Sequence, residues 1–315
     1  MQTLLLLIGG LGLLTIGGEI LVRGAVGLAR RLHVSEMLIG LTLVGFGTST
    51  PELITSLNAA FAGSPGIALG NVVGSNIANI LLILGIVVLI RPVPVDKRAL
   101  QRDGVVLALA TAAAIGIGVV FGGFTRIAAL ILLAGLVAFL YLAWRGERRN
   151  PAEQALREAE AHSFDPAPEP IWLAIVFAIG GLAALIFGAD FLVDGAVRLA
   201  KSFGVSETVI GLTIVAVGTS LPELVASLAA ALRGRSEVAF GNILGSNIYN
   251  ILGILGLTAL VHPFAVPGDM GLADWAAMAI AAALFLFHAA TGARIGRVEG
   301  AIYLLLYAVY CAILL

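Results

Sequence analysis

The sequence predicts an all-α membrane protein of ten transmembrane helices, arranged as two inverted five-helix repeats. Three observations lead to this prediction: the apolar composition, ten segments long enough to span a bilayer, and two copies of one sequence unit. Of the 315 residues, 60% are hydrophobic and 12% are charged, and the mean hydropathy is +1.05. A soluble domain carries about 25% charged residues, so lipid is expected to surround most of this surface.

The spans follow from length and hydropathy, since a membrane-crossing helix needs about 20 mostly apolar residues. The N-terminal segment has no basic stretch before its apolar run, so it is interpreted as a span and not as a cleaved signal peptide. The ten predicted spans are 2–22, 35–62, 67–90, 103–121, 125–144, 171–197, 206–232, 237–261, 273–291 and 298–315.

The basic residues of the connecting loops set the orientation, because inside loops are rich in Lys and Arg. With both termini outside, the inside loops hold 15 of the 18 basic residues, and only Arg126, Arg198 and Lys201 remain outside. We therefore predict a multi-pass protein of the plasma (inner) membrane with both termini extracytoplasmic. The sequence has no basic stripe typical of nucleic-acid binding, and it indicates no protein partner.

The repeat is the strongest feature of the sequence. Residues 34–85 align on 205–256 without a gap, and 32 of these 52 positions are identical. Each copy covers five spans, an odd number, so the second copy must enter the membrane from the opposite side. The predicted units are a first repeat at 1–144, a cytoplasmic linker at 145–170 and a second, inverted repeat at 171–315. Secondary transporters often have this architecture, with a midplane site on interrupted helices.

Two carboxylates lie near the middle of predicted spans two and seven. They are Glu52, which ends the motif GTSTPE, and Glu223, which ends GTSLPE. A charge at the bilayer centre costs at least about 3 kcal/mol on insertion scales, and no Lys or Arg lies mid-membrane to offset it. A bound cation is the expected partner. The alternative is a neutral, protonated glutamate with a structural hydrogen bond.

The same motifs contain a proline and hydroxyl side chains. Proline lacks a backbone N–H and obstructs the carbonyl about four residues earlier, so a helix break is expected at each motif. Freed carbonyls at membrane depth are tolerated only inside protein or beside a wet cavity, where a cation can bind them. The residues concerned are Pro51 and Pro222, the carbonyls near Gly45, Gly47, Ala216 and Gly218, and the hydroxyls of Thr48, Ser49, Thr219 and Ser220.

A second repeated motif, GNxxGSNIxN, lies in spans three and eight. Ser75 and Asn79 are four residues apart, as are Ser246 and Asn250, so each pair shares one helix face. Four other asparagines of the motif are interpreted as caps of the helix break: Asn71, Asn76, Asn242 and Asn247.

The donors of both motifs are all oxygen atoms, without Cys or His at the repeated positions. Such a set favours Ca²⁺ or Na⁺ over Zn²⁺ or copper, and two carboxylates balance one Ca²⁺ or two Na⁺. No cofactor is expected beyond the transported ions. The predicted ligands are Glu52, Glu223, Thr48, Thr219, Ser49, Ser220, Ser75, Ser246, Asn79, Asn250, and the carbonyls of Gly45 and Ala216.

With these paired motifs the sequence resembles the cation/calcium exchanger superfamily, and within it the prokaryotic sodium/calcium exchangers. The resemblance covers the whole ten-span layout and implies two inverted five-helix repeats with alternating access. It further implies that the two glutamates are central ligands, that the Thr and Ser side chains bind Na⁺ and Ca²⁺, and that the two carbonyls are outer Na⁺ ligands. Some members have an aspartate at one of the positions of Asn79 and Asn250, whereas here both are asparagine.

The expected function is therefore Na⁺-driven Ca²⁺ antiport. One alternative is H⁺/Ca²⁺ exchange, although proton-coupled relatives tend to carry a second glutamate where this chain has GNVVGSN. Another is a cation channel or a silent membrane scaffold. An enzyme is not expected, since the sequence has neither a nucleophile–base pair nor an HExxH-like metal motif.

Overall fold

The computed structural model describes residues 2–63, 65–95, 97, 100–147, 170–202, 216–268, 270–292 and 294–314. Twelve helices and four two-residue strands are used below, numbered in chain order. The helices are α1 Gln2–Leu32, α2 Glu36–Thr48, α3 Thr50–Phe61, α4 Pro65–Ile90, α5 Leu100–Phe121, α6 Arg126–Glu147, α7 Ile171–Ser202, α8 Ala216–Thr219, α9 Leu221–Leu232, α10 Ser236–Val261, α11 Leu272–Thr291 and α12 Arg297–Leu314. The strands are β1 Val93–Pro94, β2 Gly123–Phe124, β3 Phe264–Ala265 and β4 Arg294–Ile295.

The described helices bear out an all-helical membrane protein. Seven of them are long and apolar enough to cross a membrane, and eight if α2 and α3, bent by 41° where they meet, form one span. The start of predicted span seven, at 206–215, and most of the linker, at 148–169, lie outside the described residues. The count of ten spans therefore remains a prediction.

The first and sixth predicted spans, 2–22 and 171–197, were too short. Helix α1 continues to Leu32 and α7 to Ser202, so Arg23, Arg30 and Arg31 lie in the last turns of a helix and not in a loop. At 1.5 Å per residue a 31-residue helix is about 46 Å long, more than the roughly 30 Å of hydrocarbon. Such a helix crosses at a tilt or extends beyond the membrane, and hydropathy alone does not reveal the extension.

Helices α4 and α10 form the core of the molecule. In their most apolar 18-residue windows 72% and 83% of the residues are buried, against 22–33% in α1, α5, α6, α7 and α11. The outer helices direct large apolar side chains such as Leu109, Ile127 and Val137 outwards. This distribution is expected where lipid, and not water, surrounds the outer helices.

The helix break predicted at the first GTSxPE motif is confirmed at Ser49, where ψ is 9° between α2 and α3. Pro51 lies in the first turn of α3, the position that tolerates its missing N–H. The second motif breaks in the same way at Ser220, before Pro222 in α9. The N-terminus of α2 is capped by the Ser35 hydroxyl, which accepts from Leu38 N at 3.1 Å.

Four segments of the described residues are π-helical, which the sequence did not predict. They are Gly40–Val44 in α2, Asn79–Leu84 in α4, Leu100–Gly104 in α5 and Asn250–Leu255 in α10. Two of them begin at the predicted site residues Asn79 and Asn250. Short π segments are frequent at functional sites because they re-aim side chains within an otherwise regular helix.

The two halves match beyond the aligned residues 34–85. Equivalent elements begin and end at residues that differ by 171 in number. This holds for helices α3 and α9, for the π segments of α4 and α10, and, outside the aligned residues, for strands β1 and β3 and strands β2 and β4. The strands pair antiparallel across the halves, β1 with β4 and β2 with β3. Two equivalent arginines also form hydrogen bonds between the halves: Arg126 donates to Leu260 O at 3.4 Å, and Arg297 donates to Leu89 O at 3.0 Å.

The first helix of each half, α1 and α7, pack against each other along glycines. A Cβ on Gly24 would lie 2.3 Å from Ala178 N, and one on Gly10 would lie 2.6 Å from Leu192 N. A later residue of α1 thus meets an earlier residue of α7, so these equivalent helices run antiparallel. Backbones approach this closely only where side chains are absent.

Candidate cation site

The two glutamates lie at the first turns of α3 and α9, buried in the middle of the molecule. Glu52 and Glu223 are each 1% exposed. Each is held by the serine at the helix break of the other half: Ser49 Oγ donates to Glu223 Oε1 at 2.8 Å, and Ser220 Oγ donates to Glu52 Oε1 at 3.2 Å. The structure therefore brings the two motifs, 171 residues apart, into one site.

The second oxygen of each carboxylate has no hydrogen-bond partner among the described residues. Glu52 Oε2 and Glu223 Oε2 are buried, as are both amide atoms of Asn79 and of Asn250, and none of these six atoms has a partner among the described residues. Buried polar atoms are normally satisfied, so an unsatisfied cluster calls for an explanation, such as an ion that binds there. Four of the six are oxygens, the ligand type that Ca²⁺ and Na⁺ prefer.

The π segments that begin at the two asparagines pack against the carboxylate helices of the opposite half. The π segment that begins at Asn250 contacts α3, which carries Glu52, and the π segment that begins at Asn79 contacts α9, which carries Glu223. Each carboxylate helix is therefore adjacent to a π segment of the other repeat. Neither the pairing nor the π geometry could be inferred from the spacing of the motif.

Thr48, Ser246 and Gly45 form one corner of the site. Thr48 Oγ1 lies 3.0 Å from Val44 O and 3.2 Å from Asn242 Oδ1, and Ser246 Oγ donates to Gly45 O at 3.2 Å. The expectation that proline frees the Gly45 carbonyl was wrong, because Ser49 N still donates to it at 3.2 Å. The helix breaks one residue too late to release that bond.

The second half differs at the equivalent carbonyl. Ser220 N donates to Val217 O, three residues earlier, at 3.2 Å, whereas Ser49 N donates to Gly45 O, four residues earlier. The Ala216 carbonyl therefore does not accept the bond that its equivalent, the Gly45 carbonyl, accepts. Thr219 ends α8, four residues before Glu223. Ser75 is 5% exposed and lies one turn before Asn79 on the same face of α4. Hydrogen bonds between predicted ligands thus involve seven of the twelve: Gly45, Thr48, Ser49, Glu52, Ser220, Glu223 and Ser246. The other five lie on helices that pack against the helices of these residues: Ser75, Asn79, Ala216, Thr219 and Asn250.

The prediction that four asparagines cap the helix breaks was wrong. Asn76 and Asn247 donate to Val72 O and Ile243 O in their own helices. Asn71 and Asn242 donate to the backbone carbonyls of the site glutamates and to two serines outside the predicted ligands, Ser56 and Ser227. These serines follow the glutamates by four residues, which was the available signal.

Chemically, the site offers two carboxylates, hydroxyls, amide oxygens and carbonyls in a volume closed to lipid. No basic side chain of the described residues pairs with either glutamate. An enclosed pair of carboxylates is costly unless opposite charge accompanies it. The arrangement therefore suits a desolvated metal cation of hard, oxygen-preferring type.

Comparison with known proteins gives one consistent family. The model of the family described as sodium/calcium exchanger protein matches residues 2–145 and 173–315. The putative antiporter CaxA of Alkalimonas amylolytica is 41% identical over 308 residues, which cover 96% of this chain and 95% of the relative. The sodium/calcium exchanger MaX1 of Methanosarcina acetivorans is 35% identical over 347 aligned positions, which cover 98% of this chain and 97% of the relative.

Solved structures agree with the sequence relatives. The sodium-calcium exchanger NCX_Mj, soaked with Na⁺ and Ca²⁺, superposes with a TM-score of 0.84 at 35% identity, and 99% of this chain and 98% of that chain are covered. The same exchanger without Na⁺ and Ca²⁺ superposes with a TM-score of 0.85 at 35% identity.

Proposed function

We propose, since the chain belongs to the sodium/calcium exchanger protein family, that it is a secondary active antiporter exchanging Na⁺ for Ca²⁺. The exchange takes place by alternating access at the site around Glu52 and Glu223. Ten helices form two inverted five-helix repeats, 1–144 and 171–315, joined by a cytoplasmic linker. The protein lies in the plasma (inner) membrane with both termini extracytoplasmic.

One observation carries the proposal: two buried carboxylates are each held by a serine of the other half, and one oxygen of each has no partner in the described part of the chain. Two negative charges are balanced by one Ca²⁺ or by two Na⁺, so the two ions compete for the same charges. Emptying the site exposes both charges to a low-dielectric interior, where their burial is expensive. Release of one ion type is thus favoured only when the other replaces it.

The antiparallel arrangement of α1 and α7 supports the inverted repeat. These helices occupy equivalent positions in the two halves, and equivalent glycines face each other across their contact, such as Gly10 and Gly17 opposite Gly188 and Gly181. Two homologous units in opposite orientation can exchange conformations, which is a common basis of alternating access.

An asymmetry between the halves supports alternating access in particular. Helix α1 packs on α9, where a Cβ on Gly18 would lie 2.9 Å from Val225 Cγ1. Helix α7 has no comparable packing on α3 among the described residues, and Ile54, equivalent to Val225, is 52% exposed. The packed side faces the inside in the proposed orientation. The conformation is thus sealed towards the inside and less so towards the outside.

Two ion pairs close the inner side and have no equivalent in the other half. Arg233 pairs with Glu19, and Arg235 pairs with Glu36 at 2.9 Å. The positions equivalent to the two arginines hold uncharged Ala62 and Ser64. These ion pairs therefore favour the inward-closed conformation.

Replacing both arginines by glutamine is expected to lower the half-saturating Ca²⁺ concentration at the inner face about two- to thirtyfold. Exposed ion pairs contribute about 0.2–1 kcal/mol each, and apparent affinity scales with the fraction of molecules open to that face. Ca²⁺ uptake into inside-out vesicles measures this half-saturating concentration. The control is Arg294→Gln, at an exposed arginine of β4. Equal values for wild type and the double variant would show that the ion pairs do not bias the conformation.

The counter-ion is tested with purified protein in liposomes. We expect ⁴⁵Ca²⁺ uptake into Na⁺-loaded vesicles and little uptake into choline-loaded vesicles. Uptake driven equally well by a pH gradient without Na⁺ would replace Na⁺ by H⁺ as the coupled ion. Ca²⁺ flux that needs no counter-ion would identify a channel and refute antiport.

A further inference from the structure

The same two hydrogen bonds occur at equivalent asparagines of the two halves. Asn71 Nδ2 donates to Glu52 O at 3.0 Å and to Ser56 Oγ at 2.9 Å. Asn242 Nδ2 donates to Glu223 O at 3.3 Å and to Ser227 Oγ at 2.8 Å. Each asparagine thus binds its own half's carboxylate helix at the glutamate and again one turn later.

The geometry points to Asn242, with Asn71 as its counterpart, as a positioning residue that fixes the cation ligands relative to one another without binding the ion. This inference rests on the proposed function, because it assigns a role within the same site. Three features of the contacts carry it: the orientation of the amide, the helix face from which it projects, and the link it makes between the halves.

The orientation of the Asn242 amide follows from its partners. Glu223 O is a carbonyl and only accepts, so the group facing it must be the NH₂ of the asparagine. Oδ1 therefore faces Thr48 Oγ1 at 3.2 Å and, having no hydrogen, can only accept from it. The hydroxyl hydrogen of Thr48 thus points to one of three protein acceptors, Asn242 Oδ1, Val44 O or Gly45 O. The lone pairs of Thr48 Oγ1 remain available to a cation.

The helix face explains why this position controls the site. Asn242, Ser246 and Asn250 follow one another at four-residue intervals along α10, so they lie on one face, one turn apart. Asn242 anchors the first of these turns to the backbone of Glu223. The next two turns carry Ser246, which donates to Gly45 O of the first half, and Asn250, so the same anchor fixes their positions along α10 relative to Glu223. Asn71, Ser75 and Asn79 repeat the arrangement in α4.

The contact to Thr48 also joins the two halves. Thr48 belongs to α2 of the first repeat, whereas Asn242 and Glu223 belong to the second. Asn242 is 0% exposed and bonds Thr48, Ser227 and the backbone carbonyl of Glu223, so it fixes a hydroxyl of one half relative to the backbone that carries the carboxylate of the other. A cation that bridges the halves needs this distance to be constant.

The test separates positioning from folding by measuring affinity and maximal rate independently. Asn242→Leu keeps the size of the side chain and removes all three hydrogen bonds. We expect the half-saturating Ca²⁺ concentration for uptake into proteoliposomes to rise about tenfold or more, the change that one or two lost hydrogen bonds give. The maximal rate per folded molecule should change less. Ser227→Ala, which removes one bond and leaves Thr48 and Glu223 linked, should raise the half-saturating concentration no more than about threefold.

A purely structural asparagine would give a different result. Asn242→Leu would then lower thermal stability and the amount of active protein, while the half-saturating concentration stayed at the wild-type value, and this outcome overturns the inference. If Asn242→Leu does not yield monodisperse protein, Asn242→Ser, which is too short to reach all three partners, is measured in the same way. Absence of Ca²⁺ uptake by the wild type would instead refute the proposed function.

Discussion

Glu52→Gln and Glu223→Gln are each expected to reduce Na⁺-driven Ca²⁺ uptake at least about 100-fold. Each glutamate is buried, and one of its oxygens accepts no hydrogen bond from the residues that the structure describes, so its charge is available to the ion and is screened little by water. Losing one partner of a buried charged contact costs about 3–5 kcal/mol, and 1.4 kcal/mol corresponds to a factor of ten. Glutamine keeps the size of the side chain and removes only the charge. Uptake of ⁴⁵Ca²⁺ into Na⁺-loaded proteoliposomes measures the effect.

Glu299→Gln is the matched control for these variants. Glu299 lies in the first turn of α12, away from the site, and its Oε2 accepts from Gly296 N at 3.0 Å. A glutamine oxygen can accept the same bond, so transport should remain near the wild-type rate. Retention of more than about half of the wild-type uptake by both Glu52→Gln and Glu223→Gln would show that the transported ion does not bind these carboxylates.

The second large effect is expected from Gly181→Leu, in the contact between α1 and α7. A Cβ at this position would lie 2.4 Å from Leu21 N and 2.7 Å from Leu21 Cα, both backbone atoms that cannot rotate away. The two helices must separate to admit any side chain. Overpacking typically costs about 1–3 kcal/mol, and displacement of two backbones lies at or above the upper end. We expect thermal unfolding of the purified protein at least about 5 °C below wild type.

Gly180→Leu provides a control one residue away. A Cβ on Gly180 meets nothing within 4 Å, and the residue is exposed on the outer face of α7. A leucine there enters lipid and improves helix propensity, so stability should not fall. Equal melting temperatures for both variants would contradict the close backbone contact.

Much of the site could be predicted because the sequence repeats it. A glutamate in the middle of an apolar span indicates either a bound cation or a protonated side chain with a structural hydrogen bond. Its recurrence 171 residues later favours the bound cation. The break at Ser49 was predictable for a local reason, since Pro51 cannot continue the hydrogen bonding of the preceding turn. Whether the Gly45 carbonyl is released could not be predicted. That depends on whether the helix breaks before or after Ser49, whose N–H is the donor to this carbonyl.

The asparagines show where local reasoning fails. Asn71 and Asn76 belong to the same short motif, and their composition suggests the same capping role. In the structure Asn71 reaches the neighbouring helix at Glu52, whereas Asn76 bonds its own helix at Val72. The difference is set by which face of α4 meets α3, and no spacing within the motif encodes that neighbour.

The sequence by itself determined the membrane environment, the duplicated unit and the two central carboxylates. Identity at 32 of 52 aligned positions does not arise by chance, and a charged side chain in the middle of an apolar span is too costly to be present without a function. Tertiary structure alone decided that Ser49 binds the carboxylate of the other half. It also decided that the π segments of Asn79 and Asn250 pack against the carboxylate helices of the opposite half, and that α1 packs on α9. These features depend on contacts between helices far apart in the chain. Nearly identical motifs can occupy unequal environments once the two halves pack asymmetrically, as Ile54 and Val225 do.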